Sequence, residues 1–509
     1  MHWRFPMVAR PLRFTFALVF ALILLSGTAA AGAFEDRLSG FERYGVKGMK
    51  DWKVPGMALA VVKGGEVVYA EGFGTRRFGE DLPVTGDTVF QVGSTTKAFT
   101  VALMATLVDE GKADWDDRVA ELDPAFMMYD PWVTRESRIH DLFAQHSGMP
   151  AYAGDALSFL GFGRRDIVRS LRHVKPIYSF RDKFSYVNNL FVAGAEVEER
   201  LTGKSWETLM RERILSPLSM TDSSLTEAGL TGNTNNASLH VLVNGTPSPI
   251  EPGSMLAAWP YVYGPAGGLN STARDMARWV GVQLGRGEFA GARLFSPKAA
   301  DYMHTPQTPV FAGDFHGAYC QGWMRSELKK TVVVWHNGGT SGINSFVGFS
   351  PELDLGLVVL TNLGGHKLAD ALGLQFFDLM SGVESDWSER FLKERAAAEK
   401  AEAEEAEATP PSLPGLPPAA YAGTYSSPVY GEMAVTAERN RLMVRFGKDK
   451  RVAIRVRHRT MHTFAGDWPE MDPDSPEYHF DFDVTPDGDV ASVTIRELHY
   501  DGLAVFTRK

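Results

Sequence analysis

Strand-like sequence occurs in two places far apart in this chain, and that separation limits the folds open to it. Residues 57–74, "MALAVVKGGEVVYAEGFG", read as two strands joined at Lys63-Gly-Gly65, a hairpin signal. The pattern returns near residue 332 in "TVVVWHNGG", "NSFVGFSP" and "LGLVVLTN", with the turn "PELD" between the last two. From about 115 to 330 the sequence reads as mainly helical and loop-rich, with helix starts such as Ser271-Thr272 before "ARDMARWV". One sheet must therefore be assembled from both ends of the segment, with a helical insertion beside it. Hairpin links make that sheet antiparallel, with helices covering its faces. This is an α+β arrangement. No βαβ repeat occurs, and no G-x-G-x-x-G follows a strand.

At 509 residues the chain suggests two or three domains. A helix-like segment, "HKLADALGLQFFDLM", follows the last strand of the first domain, which runs over 34–385. Residues 389–408, rich in Ala, Glu and Lys, read as a solvated helix without a core face, and "TPPSLPGLPP" then stops any helix. Together they form a linker over 386–418. Residues 419–509 carry short alternating strands ("EMAVTAE", "RLMVRFG", "RVAIRVRH", "YHFDFDV", "ASVTIREL", "LAVFTRK") with no helix between them, the pattern of a small meander barrel or sandwich.

Arg4, Arg10 and Arg13 precede the apolar run "FTFALVFALILLSGTAAAGA", which ends in Ala31-Gly-Ala33. Positive start, apolar middle and small-residue end form a secretory signal over 1–33, which places the mature protein in the periplasm or outside the cell. An uncleaved anchor is the alternative, since 14–33 has the length to span a membrane; after cleavage no stable span is expected. The one cysteine, Cys320, allows no internal disulfide and is expected to be buried. A net charge of −10 with no basic stripe gives no case for nucleic-acid binding. The thirteen histidines include no H-E-x-x-H, so neither metal nor cofactor is expected.

Three short patterns carry chemistry. In "QVGSTTKAFT", Ser94 and Lys97 are one helical turn apart at the start of a strong helix pattern, where unpaired N–H groups favour negative charge. A plain N-cap serine is the competing reading. Ser326-Glu-Leu-Lys329 repeats the S-x-x-K spacing without any supporting context. Tyr186-Val-Asn188 is the one Y-x-N among fifteen tyrosines. A lysine nearby would lower the pKa of the phenol, so Tyr186 could take the proton of Ser94, although a core tyrosine fits as well. His336-Asn-Gly-Gly339 ends a strand with glycines that admit close backbone approach, as would a simple turn.

The order S-x-x-K, Y-x-N, H-x-G, with gaps of about ninety and about a hundred and fifty residues, resembles that of the serine β-lactamase-related hydrolases (peptidase S12 type). These include class C β-lactamases, D-alanyl carboxypeptidases, D-amino-acid peptidases and related esterases. The likeness extends to "IHDLFAQHSGMP", "PAGGLNSTARDMARWV" and "WHNGGTSGINSFVGFSPELDLGLVVLTN", and covers roughly residues 38 to 382. It implies a β-lactamase/transpeptidase-like antiparallel sheet flanked by helices, with a helical subdomain. By the same resemblance Ser94 is the acylated nucleophile, Lys97 its partner and Tyr186 the general base. Asn188 bonds Lys97 and the substrate amide, His336 and Gly338 occupy the third motif, and the N–H groups of Ser94 and Gly339 form an oxyanion hole.

The β-lactamases usually carry Lys-Thr-Gly where His336 stands, so the resemblance leans toward an exported peptidase or esterase acting on a small molecule or short peptide. β-Lactamase or D-alanyl carboxypeptidase activity, and a non-catalytic peptide- or cell-wall-binding relative, are the alternatives. The C-terminal domain resembles lipocalin-like modules. It could cover an active site, make a homo-oligomer or bind an apolar ligand.

Overall fold

The computed structural model describes residues 13–312, 315–407, 412–471 and 477–509. Arg4 and Arg10 of the expected leader lie outside the described residues. A helix, α1 (Arg13–Asp51), runs continuously through the Ala31–Ala33 site. Among the described residues no helix is long and apolar enough to cross a membrane.

The hairpin β1 (Gly56–Lys63) and β2 (Glu66–Gly74) forms one side of an eight-stranded antiparallel sheet. The other strands are β3 (Thr308–Ala312), β4 (Phe315–Tyr319), β5 (Met324–Leu328), β6 (Thr331–Thr340), β7 (Ile343–Ser350) and β8 (Leu355–Thr361). Their order is β2-β1-β8-β7-β6-β5-β4-β3, so the two chain ends meet where β1 pairs with β8, Val61 opposite Leu357. The expected sheet is present, but it begins earlier than the sequence suggested. β3 to β5 occupy a stretch read as helical and loop-rich, because these short strands near one edge carry little continuous apolar sequence.

Alternation along β1 sorts the core. Met57, Leu59 and Val61 face one layer with Leu38 and Phe41 of α1, while Ala58, Ala60 and Val62 face the other. The second layer contains α2 (Thr96–Asp109), buried on nearly every side, which is why its sequence is apolar all round. Beyond it lie α3 (Asn188–Thr202), the short α4 (Gly264–Gly267) and α5 (Ala273–Leu284), capped by the Thr272 hydroxyl accepting from the Asp275 N–H. α6 (Leu368–Met380) covers the first face with α1.

The Ala/Glu/Lys-rich segment forms α7 (Trp387–Glu407), and its start is not solvated. Phe391 and Leu392 pack on the first core, and the Trp387 indole donates to Asp378 at 2.8 Å. The C-terminal residues close an eight-stranded antiparallel barrel. Its strands are β9 (Gly423–Ser427), β10 (Gly431–Glu438), β11 (Arg441–Phe446), β12 (Val452–Thr460), β13 (Thr463–Asp467), β14 (Glu477–Val484), β15 (Val490–Ile495) and β16 (Val505–Arg508). Contacting aromatic rings fill it, among them Tyr421, Phe464, Phe482, Phe446 and Trp468. The Lys448 N–H, just after β11, donates to the Leu160 carbonyl at 2.9 Å, which docks the barrel on the helical subdomain.

Candidate active site

The approach to the site is a 3₁₀ turn, Gly93–Thr95, that feeds α2. Gly93 holds φ +56°, and a Cβ there would sit 2.8 Å from the Gly339 nitrogen, so only glycine suits this turn beside β6. Of Gln91–Thr100, Ser94 alone escapes full burial. Its side chain makes no capping hydrogen bond: the residue at the N-cap of α2 is Thr95. The plain-cap reading of Ser94 is therefore set aside.

Lys97, one turn into the helix, is completely buried. Its Nζ lies 3.0 Å from Ser94 Oγ, 2.7 Å from Asn188 Oδ1 and 2.9 Å from the Ala266 carbonyl of α4. Burial lowers its pKa from 10.5 to about 7, with Asp155 acting weakly in the other direction. The neutral amine has two N–H bonds and one lone pair. The amide oxygen of Asn188 and the Ala266 carbonyl only accept, so they take the two N–H bonds and the lone pair faces Ser94.

Tyr186 sits in the loop before α3, with its ring 4.7 Å from Lys97 Nζ and its hydroxyl hydrogen-bonded to Ser94. The expected lowering of its pKa is overturned. Burial holds the phenol well above 10.0, and Lys97, itself driven toward neutrality, supplies too little charge to offset that. Tyr186 is a neutral phenol at rest. Asn188 opens α3, and its Nδ2 donates to Asp155 Oδ2 at 2.7 Å, so one of its two N–H bonds is already committed.

His336 lies inside β6, which continues to Thr340, rather than at a strand-end turn. Its Nδ1 donates to the Asn337 carbonyl at 2.5 Å, since that oxygen can only accept. Nε2 then accepts from the Tyr319 hydroxyl at 3.2 Å. Burial, with Lys97 nearby, lowers the pKa of His336 to about 3 and keeps it neutral. Gly338 has no room for a Cβ, which would come 2.0 Å from the Val92 carbonyl, whereas a Cβ on Gly339 would make only an ordinary 3.5 Å contact with Asn344 Nδ2.

All of these but the buried Lys97 line one cleft of about 590 Å³: Ser94, Tyr186, Asn188, His336, Gly338 and Gly339. Residues that carried no sequence signal join them. Ala266 contributes only its carbonyl, and any residue type has one. Its block, "PAGGL", was visible but its role was not. Asp155 has a pKa raised to about 7 by burial, and its Oδ1 is buried with no hydrogen-bond partner among the described residues. Tyr152, Trp259 and Trp335 add aromatic walls.

Three other features fall outside this site. Ser326 of the second S-x-x-K is buried in β5 and accepts from the Trp335 indole at 2.7 Å, a structural contact. His140, Asp141 and His146 cluster within 4.8 Å, but the Arg181 guanidinium grips both oxygens of Asp141 at 2.7 and 2.6 Å. That cation already neutralises the carboxylate. Cys320 is buried, as expected.

A hydroxyl thus stands 3.0 Å from a buried lysine amine at a helix start, facing a glycine-bearing strand of the antiparallel sheet. The chain belongs to the Beta-lactamase family, whose sequence profile matches residues 41–375. A second profile, a domain of unknown function (DUF3471), matches residues 407–507. The chain is 29% identical over 414 residues to Unguisins hydrolase ungD' of Aspergillus campestris, spanning 77% of this chain and 76% of that one. It is 30% identical over 322 residues to Penicillin-binding protein 4 of Amycolatopsis lactamdurans, spanning 61% of this chain and 81% of that one. An octameric penicillin-binding protein homologue from Pyrococcus abyssi shares the fold with a TM-score of 0.62 at 21% identity, over 90% of this chain and 98% of that one.

Proposed function

We propose that this protein is an exported serine hydrolase that cleaves an amide or ester through an acyl-enzyme on Ser94. The observation that carries this reading is the 3.0 Å approach of the buried Lys97 Nζ to Ser94 Oγ. Neutral Lys97 takes the hydroxyl proton as Oγ attacks the substrate carbonyl carbon. The oxyanion faces the N–H groups of Ser94 and Gly339. Tyr186 gives its phenolic proton to the leaving group and regains one from the Lys97 ammonium, so the serine proton ends on the departing amine or alcohol. Water then attacks the acyl carbon, its proton passes through Tyr186 and Lys97 to Ser94 Oγ, and the acyl C–Oγ bond breaks to release the carboxylic acid and the free serine.

The neutral His336 supports a peptidase or esterase over an enzyme that grips a substrate carboxylate at the third motif, because no cation stands there. The likeness to a protein named as a hydrolase supports bond hydrolysis in general. The leader-like start supports a periplasmic or secreted location, and the octameric homologue makes a homo-oligomer a reasonable assembly.

The test is labelling with a fluorophosphonate and with a penicillin, followed by mass mapping. A single adduct on Ser94, lost in Ser94→Ala, is expected with the fluorophosphonate. Failure to label Ser94 with either reagent would leave a non-catalytic binding protein. Labelling by penicillin with slow release would favour the penicillin-binding alternative. A panel of p-nitrophenyl esters and D- and L-amino-acid amides then assigns the bond.

A further inference from the structure

The C-terminal barrel touches the site at one turn. Its segment Arg496–Asp501 leads to Gly502 at φ +78° and presents two adjacent side chains to residues 154–156. Asp501 Oδ2 accepts from the Gly154 N–H at 2.9 Å, in a buried contact. The Ala156 backbone N–H bonds the Tyr500 hydroxyl. Both chain neighbours of Asp155 are thus held by the barrel. The turn carries a strained residue, Tyr152 at φ +60°, beside Gly154, whose φ of +78° glycine adopts freely. The first domain adds Tyr263 Oη on the Gly154 carbonyl at 2.9 Å and Asn189 Nδ2 on the Ala153 carbonyl at 2.9 Å.

From this turn a chain of short contacts reaches the reacting serine. Asp155 Oδ2 receives Asn188 Nδ2 at 2.7 Å, Asn188 Oδ1 receives Lys97 Nζ at 2.7 Å, and Nζ stands 3.0 Å from Ser94 Oγ. Asp501 is itself fixed, its Oδ1 accepting from the Leu503 N–H at 2.8 Å. A second domain therefore supplies the anchor for a string of hydrogen bonds that ends at the catalytic base.

We propose that the barrel is a working part of the active site, with Asp501 a positioning residue that sets Lys97 through Gly154, Asp155 and Asn188. The proposal rests on the hydrolase reading only for its kinetic arm. Asp501→Ala is expected to lower kcat by roughly tenfold or more, because small misplacements of a catalytic group are costly, while KM stays within about twofold. Asp501→Asn, which keeps an acceptor for the Gly154 N–H, should recover most of that loss. Lys448→Ala breaks another contact of the same interface, the ion pair with Asp166 at 3.1 Å, and should leave kcat unchanged.

The second arm needs no substrate. Amide hydrogen exchange over residues 152–156 and 185–190 should quicken in Asp501→Ala and not in Lys448→Ala. Unchanged protection in Asp501→Ala overturns the proposal whatever the enzyme does. Quickened exchange in a protein whose Ser94 resists every probe upholds the barrel's hold on the site and overturns the hydrolase reading instead. If Asp501→Ala fails to fold, Tyr500→Phe removes the Ala156 contact and carries the same two measurements.

Discussion

Lys97 Nζ stands 3.0 Å from Ser94 Oγ in a position with no exposure to water, and its other two partners are oxygens that can only accept. The buried lysine is thereby the group closest to a usable base at neutral pH. Its pKa near 7 means that half the amine is unprotonated there. The rate of Ser94 acylation should rise with pH through a single limb near 7 and flatten above it. A pH profile of labelling by a fluorophosphonate measures this, and a limb near 10 would return Lys97 to an ordinary ammonium.

The same shift has a consequence for stability. Lys97 binds its proton less tightly folded than unfolded, so between about 7 and 10.5 the unfolded chain holds more protons. Its contribution to stability must therefore rise with pH across that window. Lys97→Met should abolish turnover, and its Tm relative to wild type should fall as pH increases from 7 toward 10. A Tm difference that stays constant over this range would contradict the burial of a titrating amine.

Tyr186→Phe separates the two candidate bases. The phenol is held in its neutral form, so losing it removes a proton relay and one hydrogen bond to Ser94. Acylation and deacylation should slow by about 10²- to 10⁴-fold, the usual worth of a positioned acid or base. The acid limb near 7 should remain, because Lys97 sets it. Loss of that limb would restore Tyr186 as the base.

The first domain's motifs were legible because each is local: a serine and a lysine on one helical turn, a tyrosine and an asparagine at a helix start, glycines in a strand. Burial reversed the reading of Tyr186, since sequence shows a lysine nearby but not the desolvation that outweighs it. Asp155 and Ala266 were invisible for another reason. One acts from an irregular turn without periodicity and the other through a backbone carbonyl, and neither leaves a mark on residue type. Strands were found where apolar runs are long, as in Leu355–Thr361, and missed at Met324–Leu328 and Gly423–Ser427, where polar residues and glycine break the pattern.

The two glycines of the third motif should differ sharply. In Gly338→Ala the new methyl would meet the Val92 carbonyl at 2.0 Å and Ser345 Oγ at 2.4 Å, and the carbonyl belongs to the turn that carries Ser94. A loss of roughly 1–3 kcal/mol in stability is expected from such overpacking, together with loss of activity. In Gly339→Ala the nearest atom is Asn344 Nδ2 at 3.5 Å, so the fold should keep its Tm while KM rises as the methyl enters the cleft. Equal Tm values for the two variants would mean that β6 does not press on the Ser94 turn.

Asp155 offers the last test of how the buried charges are coupled. Lys97 and Asp501 are the charged groups that face it, with Tyr152, Tyr263, Tyr430 and Tyr500 as neutral neighbours. Its charge raises the pKa of Lys97, against the larger lowering by burial. Asp155→Asn keeps an oxygen to accept from Asn188 Nδ2 but removes that charge. The lysine should then lose its proton more readily, and the acid limb of the acylation profile should move below 7. The shift should be modest, because Asp155 itself titrates near 7 and is already partly neutral where the limb falls. A limb displaced upward would show that the aspartate acts on Lys97 through the orientation of Asn188 rather than through its charge.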